Sequence, residues 1–217
     1  MKGRQYSRLI LAKQLRPNVH VVPNNSEIGE AELQLVQMQF NDQKKAQQDL
    51  LTLVEGFKHG AELGSLIKFE GLNFENLKSG LNNTNISFFD QSIKEMILVG
   101  ELLQQQYEIG ITNPPYMGSS GMDKSLAGYV KKIYPDSKSD LFGVFIERLE
   151  EMIKSTGYYA MITQHAWMFL SSFEKLRIKI NQQTIINMAH LGTRAFEEIG
   201  GEVVQTTAFV MTSKKYR

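Results

Sequence analysis

The chain has no cysteine. That absence removes disulfide frameworks, thiolate zinc sites and cysteine nucleophiles together, and it argues against cytosine-5 methylation, which needs a thiol to attack the ring. An excess of positive charge is missing too: 24 basic residues face 23 acidic ones, for a net charge of +1. A free-standing DNA-binding protein usually draws much of its affinity from phosphate neutralisation, so any grip on DNA must come largely from elsewhere. No apolar run approaches membrane-spanning length. Residues 1–18 are basic and lack the continuous apolar centre of a signal peptide, so no membrane partner is expected and the cytoplasm is the default location. His20, His59, His165 and His190 show no metal-ligand spacing and read as structural, so no metal is expected. There is no internal repeat.

What is present is ordinary globular material: 217 residues, 42% hydrophobic and 22% charged, enough for one core or for part of a larger enzyme. The pattern predicts a helix over residues 2–16 ended by Pro17, a short strand at Val19–Val22, a long helical stretch from Ile28 to about Gly60, an irregular region over 64–88 and a helix from Phe88 to Gln106. From Tyr107 the texture changes. A strand at 107–112 is followed by a long loop over 117–139, a helix from Leu141 to Lys154 and an almost unbroken apolar strand at 158–163. A helix at 171–180 and strands at 185–191 and 203–211 complete the chain. Alternation of this kind predicts an α/β fold with a mostly parallel sheet and flanking helices. The apolar strand at 158–163 reads as buried on both faces. The chain divides into two parts: residues 1–106, a helical insertion with an incomplete N-terminal portion, and residues 107–217, the catalytic half.

The strongest chemical signal is Asn113-Pro114-Pro115-Tyr116, at the carboxyl end of the first strand of that half, where open α/β sheets place their ligands. A ring-conjugated exocyclic amine is a poor nucleophile because its lone pair is delocalised. Two acceptors aimed at its two hydrogens push the nitrogen toward tetrahedral geometry. The Asn113 side-chain oxygen and the Pro114 carbonyl are of the right type, and consecutive prolines fix φ and set the carbonyl directions. Tyr116 offers a face on which a planar base stacks. The competing reading is a rigid turn with no chemistry; the position between a strand and a Gly/Ser-rich loop favours the functional one.

Residues 107–116 resemble the motif of amino-methyltransferases that use S-adenosylmethionine. Residues 139–147, with Thr156-Gly157 and the strand after them, are similar to the segment downstream of that motif in gamma-class DNA adenine methylases. The segment from His190 to Thr206, with Arg16–His20 and Gly64–Lys68, resembles the PglX-type adenine-specific methyltransferases of BREX phage-defence systems. The resemblance implies a partial Rossmann-like methyltransferase fold, S-adenosylmethionine as cofactor, and DNA as partner with its target adenine swung out of the duplex. Asn113 and Pro114 would hold the amine, Tyr116 would stack on the base and Phe196 would pack its other face, unless Phe196 is a core residue. Asp140 and Phe142 match a segment that lines the cofactor side in relatives; as plain structure they are a helix N-cap and a core residue.

The family's glycine-rich cofactor loop, of Asp-Pro-x-x-Gly-x-Gly type, has no counterpart here. Gly56, Gly60 and Gly64 read as packing or helix-ending glycines. The chain is therefore expected to be a fragment whose partners are the remainder of the enzyme or other defence-system subunits. The same four-residue motif also serves methyltransferases of protein glutamine or RNA guanine, and a non-catalytic interaction module is a third reading. Trp167 reads as core. Lys124, Lys131, Lys132 and Lys138 are either a solvated face or phosphate contacts.

Overall fold

The computed structural model describes residues 17–24, 28–29, 33–34, 44–82, 90–192 and 205–214. The predicted helix at 2–16 and Phe196 lie outside these residues. Residues 17–24 form no strand: Val19 and Val21 are exposed, so the run buries too little apolar surface to be held in a sheet.

From Lys44 on, the described residues of the first part hold the helices α1 (Lys44–Gly56), α2 (Gly60–Leu63), α3 (Phe74–Asn82) and α4 (Asp90–Gln104). The longer ones bury apolar stripes at helical spacing. In α1 the stripe is Ala46, Leu50, Leu53 and Val54; in α4 it is Ile93, Met96, Ile97 and Leu103. The buried carboxylate of Asp49 is satisfied, accepting from Lys45 Nζ at 2.6 Å and from the Asn73 amide at 3.0 Å. The stretch predicted as one long helix stops at Gly56, and the region predicted as irregular contains α3. A Cβ on Gly60 would fall 1.8 Å from the Pro23 carbonyl oxygen and one on Gly56 would fall 2.4 Å from the Phe69 ring, so both are packing glycines.

The second part alternates: β1 (Tyr107–Thr112), α5 (Lys124–Ile133), α6 (Leu141–Glu151), β2 (Ile153–Gln164), α7 (Glu174–Ile180), β3 (Thr184–Gly192) and β4 (Thr206–Thr212). The strands form one sheet in the order β1-β2-β4-β3. Among the described strands only β1 and β2 run parallel; β4 is antiparallel to both of its neighbours. The α/β class is as predicted, but the sheet is mixed rather than mostly parallel. Strand β4 is inserted between β2 and β3 and runs against both, so this one strand makes two of the three pairs antiparallel. The predicted loop at 117–139 contains α5, whose N-cap Asp123 accepts from the Leu126 amide at 2.9 Å.

Helices α6 and α7 cover one face of the sheet. Tyr159, Met161, Phe209 and Met211 are buried there with Phe142, Ile146, Trp167, Phe173 and Leu176. Gly110 permits this: a Cβ there would meet Leu149 Cδ1 at 2.7 Å and Ile153 Cδ1 at 2.8 Å. The opposite face is open. Ile109 and Ile111 are 65% and 76% exposed, and Ala160, Ile162, Ala208 and Val210 are only half-buried. Strand β2 is thus buried on one face, not the two expected from its apolar run.

Helix α6 joins the two hydrophobic clusters. Leu141 and Val144 pack into the helical cluster, which also takes Leu126, Val130 and Tyr134 from beyond residue 107, while Phe142 and Ile146 face the sheet. Arg148 of α6 is buried and its guanidinium donates to the carbonyls of Ser65 (3.0 Å), Ile67 (2.7 Å) and Leu103 (2.9 Å). Charge-assisted bonds of this kind are stronger than neutral ones, so one side chain fastens the helical layer to the sheet layer. Among the described residues no helix is long and apolar enough to cross a membrane.

Candidate active site

Thr112 pairs with Met161 at the end of β1, and the chain leaves the sheet at Asn113. Its exposed side chain stands at the head of a cavity of about 500 Å³ on the open face, lined by Ile111, Ala160, Ile162, Ala208 and Val210 among others. Pro114 is buried and Pro115 exposed. Tyr116 turns the other way. Its ring is half-buried and meets Phe142 edge to face, with centroids 6.2 Å apart, and Phe142 in turn contacts Phe173 at 5.3 Å. The four residues therefore straddle the sheet, with a carboxamide on the open side and a phenol rooted in the covered core.

The loop beyond Tyr116 is stitched to the start of α6. Asp140 Oδ1 accepts from the amides of Met117 (3.1 Å) and Phe142 (3.2 Å). The Leu141 amide donates to the Met117 carbonyl and the Ser119 amide to the Ser139 carbonyl, each at 3.0 Å. Asp140 is thus both the N-cap of α6 and the anchor of the loop after the motif. Burial pushes its carboxyl above the ordinary range, opposed by the amides it binds. The Tyr116 hydroxyl is buried without a hydrogen-bond partner, and burial raises its pKa.

Of the residues singled out from sequence, the fold brings Asn113, Pro114, Pro115, Tyr116, Asp140 and Phe142 into one neighbourhood. Phe142 lies beneath Tyr116 as a fully buried packing residue, and the Asp140 carboxylate is committed to backbone amides. Strand β3 ends at Gly192 and β4 starts at Thr206, at the same end of the sheet as Asn113; the connection between them carries Phe196. Lys124, Lys131, Lys132 and Lys138 are exposed. Trp167 is core, donating from Nε1 to Thr163 Oγ1 at 3.1 Å. His165 stacks loosely on His190, with centroids 5.3 Å apart, and no metal-binding group of side chains occurs among the described residues. Sequence reasoning does not single out Arg148. Its only signal is its position one turn after Val144, on the side of α6 that faces the helical cluster.

Residues 14–196 match the family described as Eco57I restriction-modification methylase. The chain belongs to that family. An adenine-specific methyltransferase PglX of Lacticaseibacillus casei (strain Zhang) is 48% identical over 99% of this chain, which corresponds to 19% of that protein. An adenine-specific methyltransferase BrxX of Escherichia coli O9:H4 (strain HS) is 41% identical over 71% of this chain and 14% of its own length. The chain thus spans only a small part of the length of either relative. A crystal structure from Listeria monocytogenes, assigned to the class I S-adenosylmethionine-dependent methyltransferases, overlaps at a TM-score of 0.38 and 18% identity, over 87% of this chain and 68% of that one.

Proposed function

We propose that this chain supplies the amine-gripping side of an adenine-specific DNA methyltransferase of the BREX phage-defence type, acting in the cytoplasm with S-adenosylmethionine as methyl donor. The observation that carries the reading is the placement of Asn113. Its carboxamide is exposed at the carboxyl end of a parallel strand, at the mouth of a cavity, on a loop held rigid by two prolines and by Asp140. Asn113 Oδ1 and the Pro114 carbonyl accept the two hydrogens of the adenine N6 amine and leave its lone pair pointing outward. Held by these two acceptors the nitrogen is positioned, and positioning of that kind would supply much of the acceleration once a bound cofactor brings the methyl group. The half-buried Tyr116 ring supports one face of the flipped base, and Phe196, which lies outside the described residues, is the candidate for the other.

The described residues do not fit the cofactor. Asp140 is capped by amides and Phe142 has no free surface. Gly56 and Gly60 are filled by neighbours. We therefore assign the cradle to residues outside the described ones, and the relatives, much longer than this chain, have further polypeptide that can supply it. A strand added beside β1 parallel to it, with its helix on the open face, would cover Ile109 and Ile111 and bring its own loop next to Asn113. Such right-handed βα additions are the rule for parallel strands.

Placing residues 1–217 in the L. casei relative, in exchange for its matching stretch, tests the reading. The chimera should deposit N6-methyladenine on unmethylated bacterial genomic DNA, read by mass spectrometry of the nucleosides. Methylation of a protein or of ribosomal RNA with none of DNA would overturn it. Calorimetry of the 217-residue chain alone with millimolar S-adenosylmethionine should give no heat.

A further inference from the structure

Extruding a base costs unstacking and unpairing energy, and a side chain that enters the vacated place restores part of the lost stacking. The turn after β2 is built to present two apolar side chains at the end of the sheet where Asn113 sits. Strand β2 runs parallel to β1, whose last residue Thr112 pairs with Met161, and continues three residues further to Gln164, so the turn after it projects beyond the β1 terminus. His165–Met168 then form a single 3₁₀ turn, and Phe169 and Leu170 come next, 66% and 53% exposed. Their neighbours Trp167 and Phe173 are buried in the sheet core, so the turn is rooted on both sides.

The backbone of this turn is fixed. The amides of Phe169 and Leu170 both donate to the Ala166 carbonyl, at 3.1 and 2.9 Å. The Phe173 amide donates to the Leu170 carbonyl at 3.1 Å. Arg177 Nη1 reaches from α7 to the carbonyls of Trp167 (2.9 Å) and Leu170 (2.6 Å). The Phe169 ring is steadied by the edge-to-face contact with His165, whose own amide donates to the Gln205 carbonyl at 3.0 Å. Apolar residues scattered singly over a surface need no explanation. Two adjacent ones, held outward by a cationic clamp at the substrate end of a sheet, are a different matter, since ordering an exposed apolar pair gives the free protein nothing.

We propose that Phe169 and Leu170 form the wedge that enters the DNA stack as the target adenine leaves it. The inference rests on the adenine reading of Asn113–Tyr116. Phenylalanine and leucine are side-chain types that proteins insert between base steps. A base-sized π face offers stacking of the same kind as the base it replaces. The chain's near-zero net charge fits a contact of this sort, in which the duplex is engaged by shape and stacking at one point and by phosphate contacts supplied elsewhere.

The chimera described above gives the test. Sequencing of its methylated genomic product locates the target site, and short duplexes built on that site are made in two forms. In one the target adenine faces thymine; in the other it faces an abasic position, so that extrusion is already easy. The double variant Phe169→Ala/Leu170→Ala should lose on the order of tenfold or more in methylation rate on the paired duplex, as loss of one good stacking contact implies. On the abasic duplex it should stay within about twofold of the parent, because the wedge has less to do there. Phe169→Trp should retain activity on both. An equal loss on the two duplexes would mean that the turn only supports the fold, and no loss on either would mean that it does not touch DNA; each result overturns the wedge while leaving the adenine reading intact. If the unsubstituted chimera does not methylate adenine at all, the reading of the site falls and the wedge falls with it.

Discussion

The two faces of the sheet are built from the same kinds of side chain and meet different fates. On the covered face, Tyr159, Met161, Phe209 and Met211 are sealed under α6 and α7. On the open face, Ile109, Ile111, Ala160, Ile162 and Val210 line up across the same strands in matching register, and Ile111 remains three-quarters exposed. A strand whose two sides are equally apolar is a strand for a two-sided core. The difference therefore measures what the described residues bury, and the motif sits on the boundary. Asn113 opens toward the uncovered side, whereas Tyr116 is held by the aromatic stack of the covered one.

The contrast between the faces breaks most sharply under truncation. Phe209→Ala should destabilise the chain by about 3–5 kcal/mol, the cost of a cavity in a packed aromatic site. Ile111→Ala should stay within about 0.5 kcal/mol, as at an ordinary surface position. Chemical denaturation of both variants decides the matter, and similar losses would mean that the open face is packed in solution. Carried into the chimera, Ile111→Ala should instead cost about 2–5 kcal/mol, the range for a buried aliphatic side chain; a neutral result there would remove the added strand and helix. Next in size comes Asn113→Ala, measured in the chimera. Losing one preorganised partner of the reacting amine should lower kcat by roughly a hundredfold or more, with KM for the cofactor and folding stability unchanged. A matching loss of cofactor binding would place Asn113 in the wrong role.

How much of the fold can be read from the chain alone depends on whether the signal is local. Strand β1 is legible to the residue, since six residues of strand-forming character run directly into a proline pair that ends pairing. The motif Asn113–Tyr116 is legible for the same reason. Helix α5 is not, because Gly118, Gly121 and Gly128 give residues 117–139 a loop-like texture; its signal is the capping Asp123 with Leu126 and Val130 one turn apart. The insertion of β4 between β2 and β3 is a nonlocal pairing that no window of sequence specifies. The burial of β2 is overstated by its apolar run, which reports what a strand is suited to bury, not whether a second layer is at hand. The residue type of Tyr116 suggests a stacking platform, and its anchorage on Phe142 emerges only with the fold.

That anchorage gives the two smaller tests, both on the covered side of the boundary. The Tyr116 hydroxyl is buried and unpartnered, and such a group costs about 1–3 kcal/mol to desolvate. Tyr116→Phe should therefore hold or raise stability by up to about 1 kcal/mol, with near-normal methylation in the chimera, while Tyr116→Ala should weaken handling of the base. If Phe is as damaging as Ala, stacking is the wrong account of this residue. The least effect is expected from Asp140. Its carboxyl titrates above its usual 3.8 because of burial, so the folded state holds the proton more tightly than the unfolded chain does. The stability this contributes is complete below pH 3.8 and is lost as pH rises through the higher folded value. Asp140→Asn keeps the oxygen that accepts from Met117 and Phe142 while removing the titration. Its stability should vary less with pH across that interval, and a pH profile identical to the parent's would show that Asp140 is as well solvated in the fold as in the open chain.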